Sequence, residues 1–301
     1  MRAVPAKSRS PAAPVTWRDG VHLTGTPIWC DARRRRGVCF VSSASRSPLF
    51  LERVPLGRAG AELGGAADHG PLIATPQTLA LIGAKGQLGV PLHKPFTLGT
   101  LRLELIPSGR GFGAAALHVD MGRHSVLYAG AIRGADVRAA DAVVVASPLA
   151  EPPEHVDSPR DAAGKLAAWA RDAASPVVVV DSVLDGVTVA GALADAGLAV
   201  AGTRSLRDAA VRAELPAIAA KGDVLIKVEG DRVRLPAGHT ARHVGPATWP
   251  LVASDRELLA WIEQTRASQV FLTGAGAERI AGAIGPRARV LGPPRQMSLF
   301  R

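Results

Sequence analysis

Short apolar segments separated by glycine and proline turns fill the first half of the chain. Of all features of the sequence, this pattern constrains the fold most. Apolar runs bounded by turn residues are typical of β-strands. We predict strands, many of them antiparallel, at 38–41, 72–74, 101–106, 115–120, 125–129 and 142–145. The stretch 101–132 fits a hairpin whose turn is Met121-Gly122-Arg123-His124. The first half is therefore predicted to be rich in sheet.

One predicted helix interrupts these strands. After Ser147 the predicted helices alternate with strands. Thr75 can cap a helix over 76–82, because Pro76 stands at a first-turn position and apolar residues follow at helical spacing. Farther on, predicted helices at 161–174 and 187–196 alternate with strands at 177–180 and 198–201. This alternation is typical of a parallel α/β unit. A hairpin-like stretch at 224–233, a helix at 255–265, a strand at 270–273 and a helix at 277–284 complete the prediction.

Composition indicates where in the cell the protein is expected and which kinds of segment it contains. Hydrophobic residues make up 47% of the 301 residues, yet no apolar run is long enough to span a membrane. Residues 1–16 lack the apolar core of a secretory signal, so we expect a cytoplasmic protein without a membrane partner. Residues 1–18 are rich in proline, alanine, serine and lysine and are predicted to be disordered. Cys30 and Cys39 are too few for a disulfide framework and lack the paired spacing of a zinc site, which favours buried thiols.

One cluster stands out among the 36 Lys and Arg residues of the chain. The formal net charge is +10, and Arg33, Arg34, Arg35 and Arg36 form a run ahead of a predicted strand, with Arg46 after it. Such a run can contact nucleic-acid phosphates, which would make binding strongly dependent on salt. A solvated turn explains the same run equally well. These arginines are therefore candidate DNA contacts only.

Several enzyme motifs are absent from the sequence. It contains neither a phosphate-binding loop of the Gly-x4-Gly-Lys-Ser/Thr kind nor a Gly-x-Ser-x-Gly nucleophile elbow. Gly274-Ala275-Gly276 follows a predicted strand and precedes a helix, but the third glycine of a dinucleotide loop is missing. A tight turn between strand and helix is the favoured interpretation.

The histidines do not form a recognisable metal-binding motif. His118, Asp120 and His124 fall within seven residues, but a metal site there would need ligands from elsewhere in the chain. His239 and His243 have the spacing of one helical turn in a region rich in glycine and proline, where no helix is predicted. We expect them to be loop histidines.

The order of several short motifs resembles a known family. From residue 23 onward the chain is similar to the metallo-β-lactamase/β-CASP nucleases, especially the bacterial exonucleases associated with DNA ligase. The matching segments are Leu23-Thr24 with Cys30, Ala74-Thr75-Pro76-Gln77-Thr78-Leu79, Pro107-Ser108-Gly109, Gly113-Ala114-Ala115 and Tyr128-Ala129-Gly130. The resemblance implies an α/β fold, a metallo-β-lactamase-like αββα sandwich interrupted by a β-CASP-like α/β inserted domain.

The resemblance also implies a division of the chain. The sandwich would occupy 19–146 and be completed by 251–290, and the inserted domain would occupy 147–250. The disordered segment 1–18 would precede it, and a tail at 291–301 would follow.

The metal ligands of that family are replaced in this chain. Relatives use a His-x-His-x-Asp-His segment and later histidine and aspartate ligands to hold two metal ions that activate water. The corresponding residues here are Ser43, Ser45, Ser47, Pro48, Arg110, Ala131 and Gly274, and a His-Gly pair becomes Ala201-Gly202. The resemblance therefore implies a pseudoenzyme without catalytic residues, metal or other cofactor. Arg46 and Arg110 could hold a DNA phosphate near the former metal cleft, or pair with nearby carboxylates.

The end of the chain carries a peptide motif. Gln296, Met297, Ser298, Leu299 and Phe300 resemble the bacterial sliding-clamp motif Gln-Leu-Ser/Asp-Leu-Phe, with Met in place of the first Leu. Leu299 and Phe300 would be buried anchors, and Gln296 would hydrogen-bond at the rim of the clamp pocket. The competing interpretation is a frayed terminus whose apolar residues fold back on the domain. The expected partner is the clamp, the β subunit of the replicative polymerase.

These observations favour a noncatalytic accessory of DNA repair or replication that docks on the clamp and contacts DNA or another repair protein through its body. Two alternatives stay open. The protein could be an active exonuclease or phosphodiesterase with a relocated metal site involving His118, His124, His239 or Asp181. It could also be a structural subunit that partners an active nuclease or another repair protein.

Overall fold

Three β-sheets organise the part of the chain that the structure describes. The computed structural model describes residues 13–34, 36–45, 70–151, 157–246 and 248–292. In chain order the elements are β1 (Val15–Trp17), β2 (Val21–Leu23), β3 (Ile28–Cys30), β4 (Val38–Phe40), β5 (Leu72–Ala74), α1 (Pro76–Ile82), β6 (Leu88–Gly89), β7 (Phe96–Leu98), β8 (Leu101–Pro107), β9 (Ala115–Asp120), β10 (Ser125–Gly130), β11 (Ala142–Ala146), α2 (Pro159–Asp172), β12 (Pro176–Val180), α3 (Val183–Asp195), β13 (Val200–Gly202), α4 (Arg204–Arg212), β14 (Val224–Val228), β15 (Thr240–Val244), α5 (Asp255–Gln264), β16 (Gln269–Thr273), α6 (Ala277–Ile284) and β17 (Ala288–Val290).

Two large sheets lie face to face. The first contains β1 to β6 in sequence order, antiparallel from β1 to β3 and parallel from β3 to β6. The second has the order β17-β16-β11-β10-β9-β8-β7, with antiparallel pairing from β7 to β10 and parallel pairing from β10 to β17. Leu23 and Phe40 of the first sheet and Leu117 and Phe271 of the second are buried in one core. This core is the contact between the two sheets.

Helices cover the outer faces of this pair of sheets. Leu79 and Leu81 of α1 share a core with Leu72 of β5, and Ile262 of α5 and Ile280 of α6 share another with strands of the second sheet. The layers are therefore helix, sheet, sheet and helix, in an α/β protein.

A third sheet has the order β13-β14-β12-β15, and all its pairs are parallel. The predicted hairpin at 224–233 is wrong, because β14 ends at Val228 and pairs in parallel with both β12 and β13. His243, predicted to lie in a loop, belongs to β15. Helix α4 was not predicted at all.

The amino end of the chain also differs from expectation. Val15 is buried and β1 pairs with β2, so the predicted disordered segment does not reach residue 18. Residues 1–12 lie outside the described ranges. Cys30 and Cys39 are free and buried, as predicted. None of the helices in the described ranges is long and apolar enough to cross a membrane.

Helix α1 begins and ends where the sequence predicts. The Thr75 hydroxyl accepts the Thr78 N–H at 3.1 Å, Pro76 occupies the first turn, and Gly83 ends the helix in the left-handed region at φ 71°. The Thr75 and Thr78 hydroxyls also donate to the Gly113 carbonyl, at 2.6 and 2.7 Å. The start of α1 is thus fixed to the loop before β9.

Candidate functional site

The candidate site is the edge of the two sheets where β4, β10 and β16 end, because predicted ligand positions follow these strands. Ser42 and Ser43 follow β4, Ala131 follows β10, and Gly274 follows β16. Carboxyl ends of parallel strands are the usual location of sites in open α/β sheets. We call this edge the cleft.

Asp31, which sequence reasoning missed, organises one side of the cleft. Its Oδ1 accepts the Ser42 N–H at 2.9 Å, and its Oδ2 accepts the hydroxyls of Ser42 at 2.6 Å and Tyr128 at 2.8 Å. A Cβ at Gly130 would lie 2.7 Å from the Ser42 Oγ, so only glycine allows this approach. The carboxylate is therefore held by protein donors. A lone aspartate beside the arginine run carried no spacing that could have marked it.

The serines at the predicted ligand positions bond to each other. The Oγ atoms of Ser43 and Ser45 lie 2.8 Å apart, and Ser43 is buried. Neutral hydroxyls are poor ligands compared with carboxylates and imidazoles. Ser47, Pro48 and Arg46 lie outside the described residues.

Arg110 is not available to DNA, which corrects its assignment as a candidate phosphate contact. Its Nη2 donates to Asp185 Oδ1 at 2.6 Å, and the two side chains are only 4% and 2% exposed. The Ser182 hydroxyl donates to Asp185 Oδ2 at 2.6 Å and accepts the Asp185 N–H at 3.1 Å, capping α3. This explains why α3 begins at Val183, ahead of the predicted 187. The carboxylate pairing considered from sequence is the one observed.

Ala131 and Gly274, two further predicted ligand positions, have no side-chain atom that could ligate a metal. Ala131 has an apolar side chain, and Gly274 has φ +93° with its α-carbon facing the Ser147 carbonyl. A Cβ at Gly274 would lie 2.5 Å from that oxygen, so the residue forms a tight turn between β16 and α6. This confirms the turn interpretation of Gly274-Ala275-Gly276.

The candidate residues His118, Asp120 and His124 do not converge in the described structure. His118 lies on β9, where burial and the charge of Arg138 lower its pKa. The Asp120 carboxylate accepts the Gly122 N–H at 2.8 Å within the hairpin turn, and the His124 carbonyl accepts the Met121 N–H. Among the described residues, these three side chains form no metal-sized group.

A different group of ligating side chains does converge. One ligand atom from each of Asp181, Glu229 and His243 lies within 4.8 Å of the others. These residues lie at the carboxyl ends of strands in the third sheet. Asp181 was a sequence candidate, whereas Glu229 was not. His239, also a candidate, is elsewhere, with its Nδ1 at 3.0 Å from the Pro236 carbonyl oxygen.

The arginine run is partly used within the protein. Arg34 forms an exposed ion pair with Asp19 at 3.0 Å. Arg36 stacks over the Trp29 ring at 4.0 Å and donates to the Arg18 carbonyl at 2.6 Å. Arg33 is exposed, and Arg35 lies outside the described residues. Contact with DNA by Arg33 or Arg34 remains a prediction.

The motif at the chain end also lies beyond the described ranges, which stop at residue 292. Gln296, Met297, Ser298, Leu299 and Phe300 are therefore known from sequence only.

Comparisons with known proteins show a shared fold but no family. No family model matches the chain, and no curated protein matches it. A crystal structure of a protein of unknown function from Enterococcus faecalis V583 is similar, with a TM-score of 0.54 and 12% sequence identity. The similarity covers 86% of this chain and 79% of that one. At this identity it shows a shared fold alone.

Proposed function

We propose that this chain is a noncatalytic relative of the metallo-β-lactamase/β-CASP nucleases that serves DNA replication or repair by docking on the bacterial sliding clamp. The proposal is supported by the helix-sheet-sheet-helix layers and by a third, parallel sheet within residues 147–250. In active members of the resembled family, the nuclease centre would lie at the positions that form the cleft here.

The observation that carries the proposal is the set of side chains at the cleft. Ser43 and Ser45 bond to each other, Gly274 provides no side chain, and the Arg110 guanidinium occupies another ligand position. A guanidinium cannot ligate a cation, and it would repel one. A two-metal hydrolytic centre requires several carboxylate or imidazole ligands on the same ions. The described cleft residues do not supply them.

The terminal motif supplies the function of such a scaffold. Leu299 and Phe300 offer two large apolar side chains for a pocket on the clamp, and Gln296 offers an amide for its rim. Burying each anchor contributes about 1.5–3 kcal/mol. Removing both should therefore weaken binding by at least about a hundredfold.

Binding to purified sliding clamp, measured by surface plasmon resonance, tests this proposal. We expect the full chain to bind, and the double variant Leu299→Ala, Phe300→Ala to lose at least about a hundredfold in affinity. Arg301→Ala lies beside the motif but outside it and should bind like the wild type. Equal affinity of the double variant and the wild type would refute docking through the tail.

A nuclease assay tests the noncatalytic part separately. The wild type should release no nucleotides from single- or double-stranded DNA with Mn²⁺ or Zn²⁺. Cleavage that survives repurification and is removed by a chelator would contradict this part, while leaving clamp docking intact.

A further inference from the structure

Three strands of the third sheet end at residues of types that can ligate metals. Asp181 directly follows β12, Glu229 directly follows β14, and His243 is the penultimate residue of β15. β12 is the central partner of both neighbours, with Val180 opposite Val228 on one side and Val244 on the other. The parallel register therefore brings two carboxylates and one imidazole together at the carboxyl ends of these strands, although they are far apart in sequence.

The geometry at this edge is close to that of a metal site. The His243 Nε2 lies 2.8 Å from Asp181 Oδ1, and one ligand atom from each of the three residues lies within 4.8 Å of the others. Ligand atoms around a tetrahedral zinc are separated by about 3.3 Å, given bonds of about 2.0 Å. Because the three side chains are exposed, small rotations can bring their ligand atoms to that separation.

A glycine keeps the backbone close to this group. A Cβ at Gly245 would lie 2.9 Å from Asp181 Oδ2 and 3.1 Å from the His243 ring. A side chain at this position would push the exposed end of the Asp181 side chain aside. Glycine therefore leaves the present arrangement undisturbed.

The charges of the group are not balanced by neighbouring cations. In the part of the chain that the structure describes, no lysine or arginine pairs with Asp181 or Glu229. The Lys227 amine donates to the Asp231 carbonyl at 3.2 Å, and the Arg242 guanidinium lies 5.8 Å from the centre of the Trp169 ring. Two neighbouring carboxylates repel each other, and a cation bound between them removes this repulsion.

We propose that Asp181, Glu229 and His243 bind one divalent transition-metal ion, with Zn²⁺ as the best match. Zinc accepts imidazole nitrogen and carboxylate oxygen ligands together, whereas Mg²⁺ and Ca²⁺ prefer oxygen ligands alone. Three protein ligands at an exposed edge leave a coordination position open to water. Asp181 precedes Ser182, the cap of α3, so the ion would also fix the start of the helix whose Asp185 holds Arg110. This proposal does not depend on clamp docking.

Metal titration of the full chain, freed of affinity tag and treated with chelator, tests the proposal. Calorimetry with Zn²⁺ should show one ion per chain, and elemental analysis after desalting should confirm that ratio. His243→Gln and Glu229→Gln should each weaken binding by at least about tenfold. His239→Gln is the matched control, because that histidine lies on the same segment outside the group, and its affinity should equal that of the wild type.

The Glu229 variant separates a metal site from a simple surface ion pair. If Asp181 and His243 only pair with each other, Glu229→Gln will leave Zn²⁺ binding unchanged, and the proposal is wrong. Absence of stoichiometric binding in the wild type refutes it as well. Circular dichroism establishes that each variant is folded. Clamp affinity measured on the same samples should not change, so this proposal and the docking proposal can fail independently.

Discussion

Replacing Arg110 by alanine should destabilise the protein by about 3 kcal/mol, because it leaves the Asp185 carboxylate buried without its charged partner. Breaking a buried ion pair from one side costs about 3–5 kcal/mol. Both side chains are nearly inaccessible, so water cannot replace the guanidinium. Two details place the cost at the lower end of that range: Asp185 keeps its hydrogen bond from Ser182, and the Arg110 Nη1 has no hydrogen-bond partner in the described structure.

The assay is urea unfolding followed by circular dichroism, with two comparison variants. Arg110→Met combined with Asp185→Asn removes both charges and keeps an acceptor for Ser182, so it should be more stable than Arg110→Ala alone. Arg204 pairs with Asp208 on the surface, with side chains 87% and 56% exposed. Arg204→Ala should therefore cost less than about 1 kcal/mol.

Two results would refute the reasoning about Arg110. A cost below about 1 kcal/mol for Arg110→Ala would mean that the pair behaves like a surface pair. A double variant no more stable than Arg110→Ala would mean that the lost stability does not come from an unpaired buried charge.

Two further predictions concern buried titratable groups. Burial raises the pKa of Cys39 to about 12 and that of Cys30 well above its usual range, so neither thiol should react with a disulfide reagent at pH 8 until urea unfolds the protein; rapid reaction of the native chain would contradict this. Because burial, followed by the charge of Arg138, lowers the pKa of His118, the unfolded chain binds its proton more readily, and stability should rise with pH until the unfolded pKa of about 6.5 is passed. His118→Gln should reduce that rise between pH 5 and 7 in urea midpoints, and an unchanged slope would assign the effect to other groups.

Local signals in the sequence were sufficient for much of the fold. The Thr75 cap, Pro76 and Gly83 determine α1 through short-range hydrogen bonds and backbone preferences. Strand β9 and helix α6 were predicted with the bounds observed, because apolar residues mark them clearly. Strand β15 was missed because four of its five residues are exposed, so it has no apolar pattern, and it lies at a sheet edge between glycines.

The candidate sites depend on contacts that no local pattern contains. Asp31 and Tyr128 are separated by 97 positions, and Arg110 and Asp185 by 75. Glu229 and His243 become neighbours of Asp181 only through the parallel register of the third sheet. The predicted hairpin at 224–233 included Glu229 and therefore did not place this residue beside Asp181. Sequence alone identified single ligating residues but could not show which of them meet.

Helix α1 is bound at both ends by parts of the chain remote from it. Its first turn holds the Gly113 carbonyl, and its last carbonyls, those of Ala80 and Leu81, accept hydrogen bonds from Arg212 of α4. One continuous apolar core runs from the outer face of the first sheet, past α1, to the strands of the third sheet. The described residues of 147–250 therefore share their core with the first sheet and α1, and the seven residues of α1 are a common structural element of both regions. A fragment limited to residues 147–250 would lose the side chains of α1 and of the first sheet that cover its apolar core.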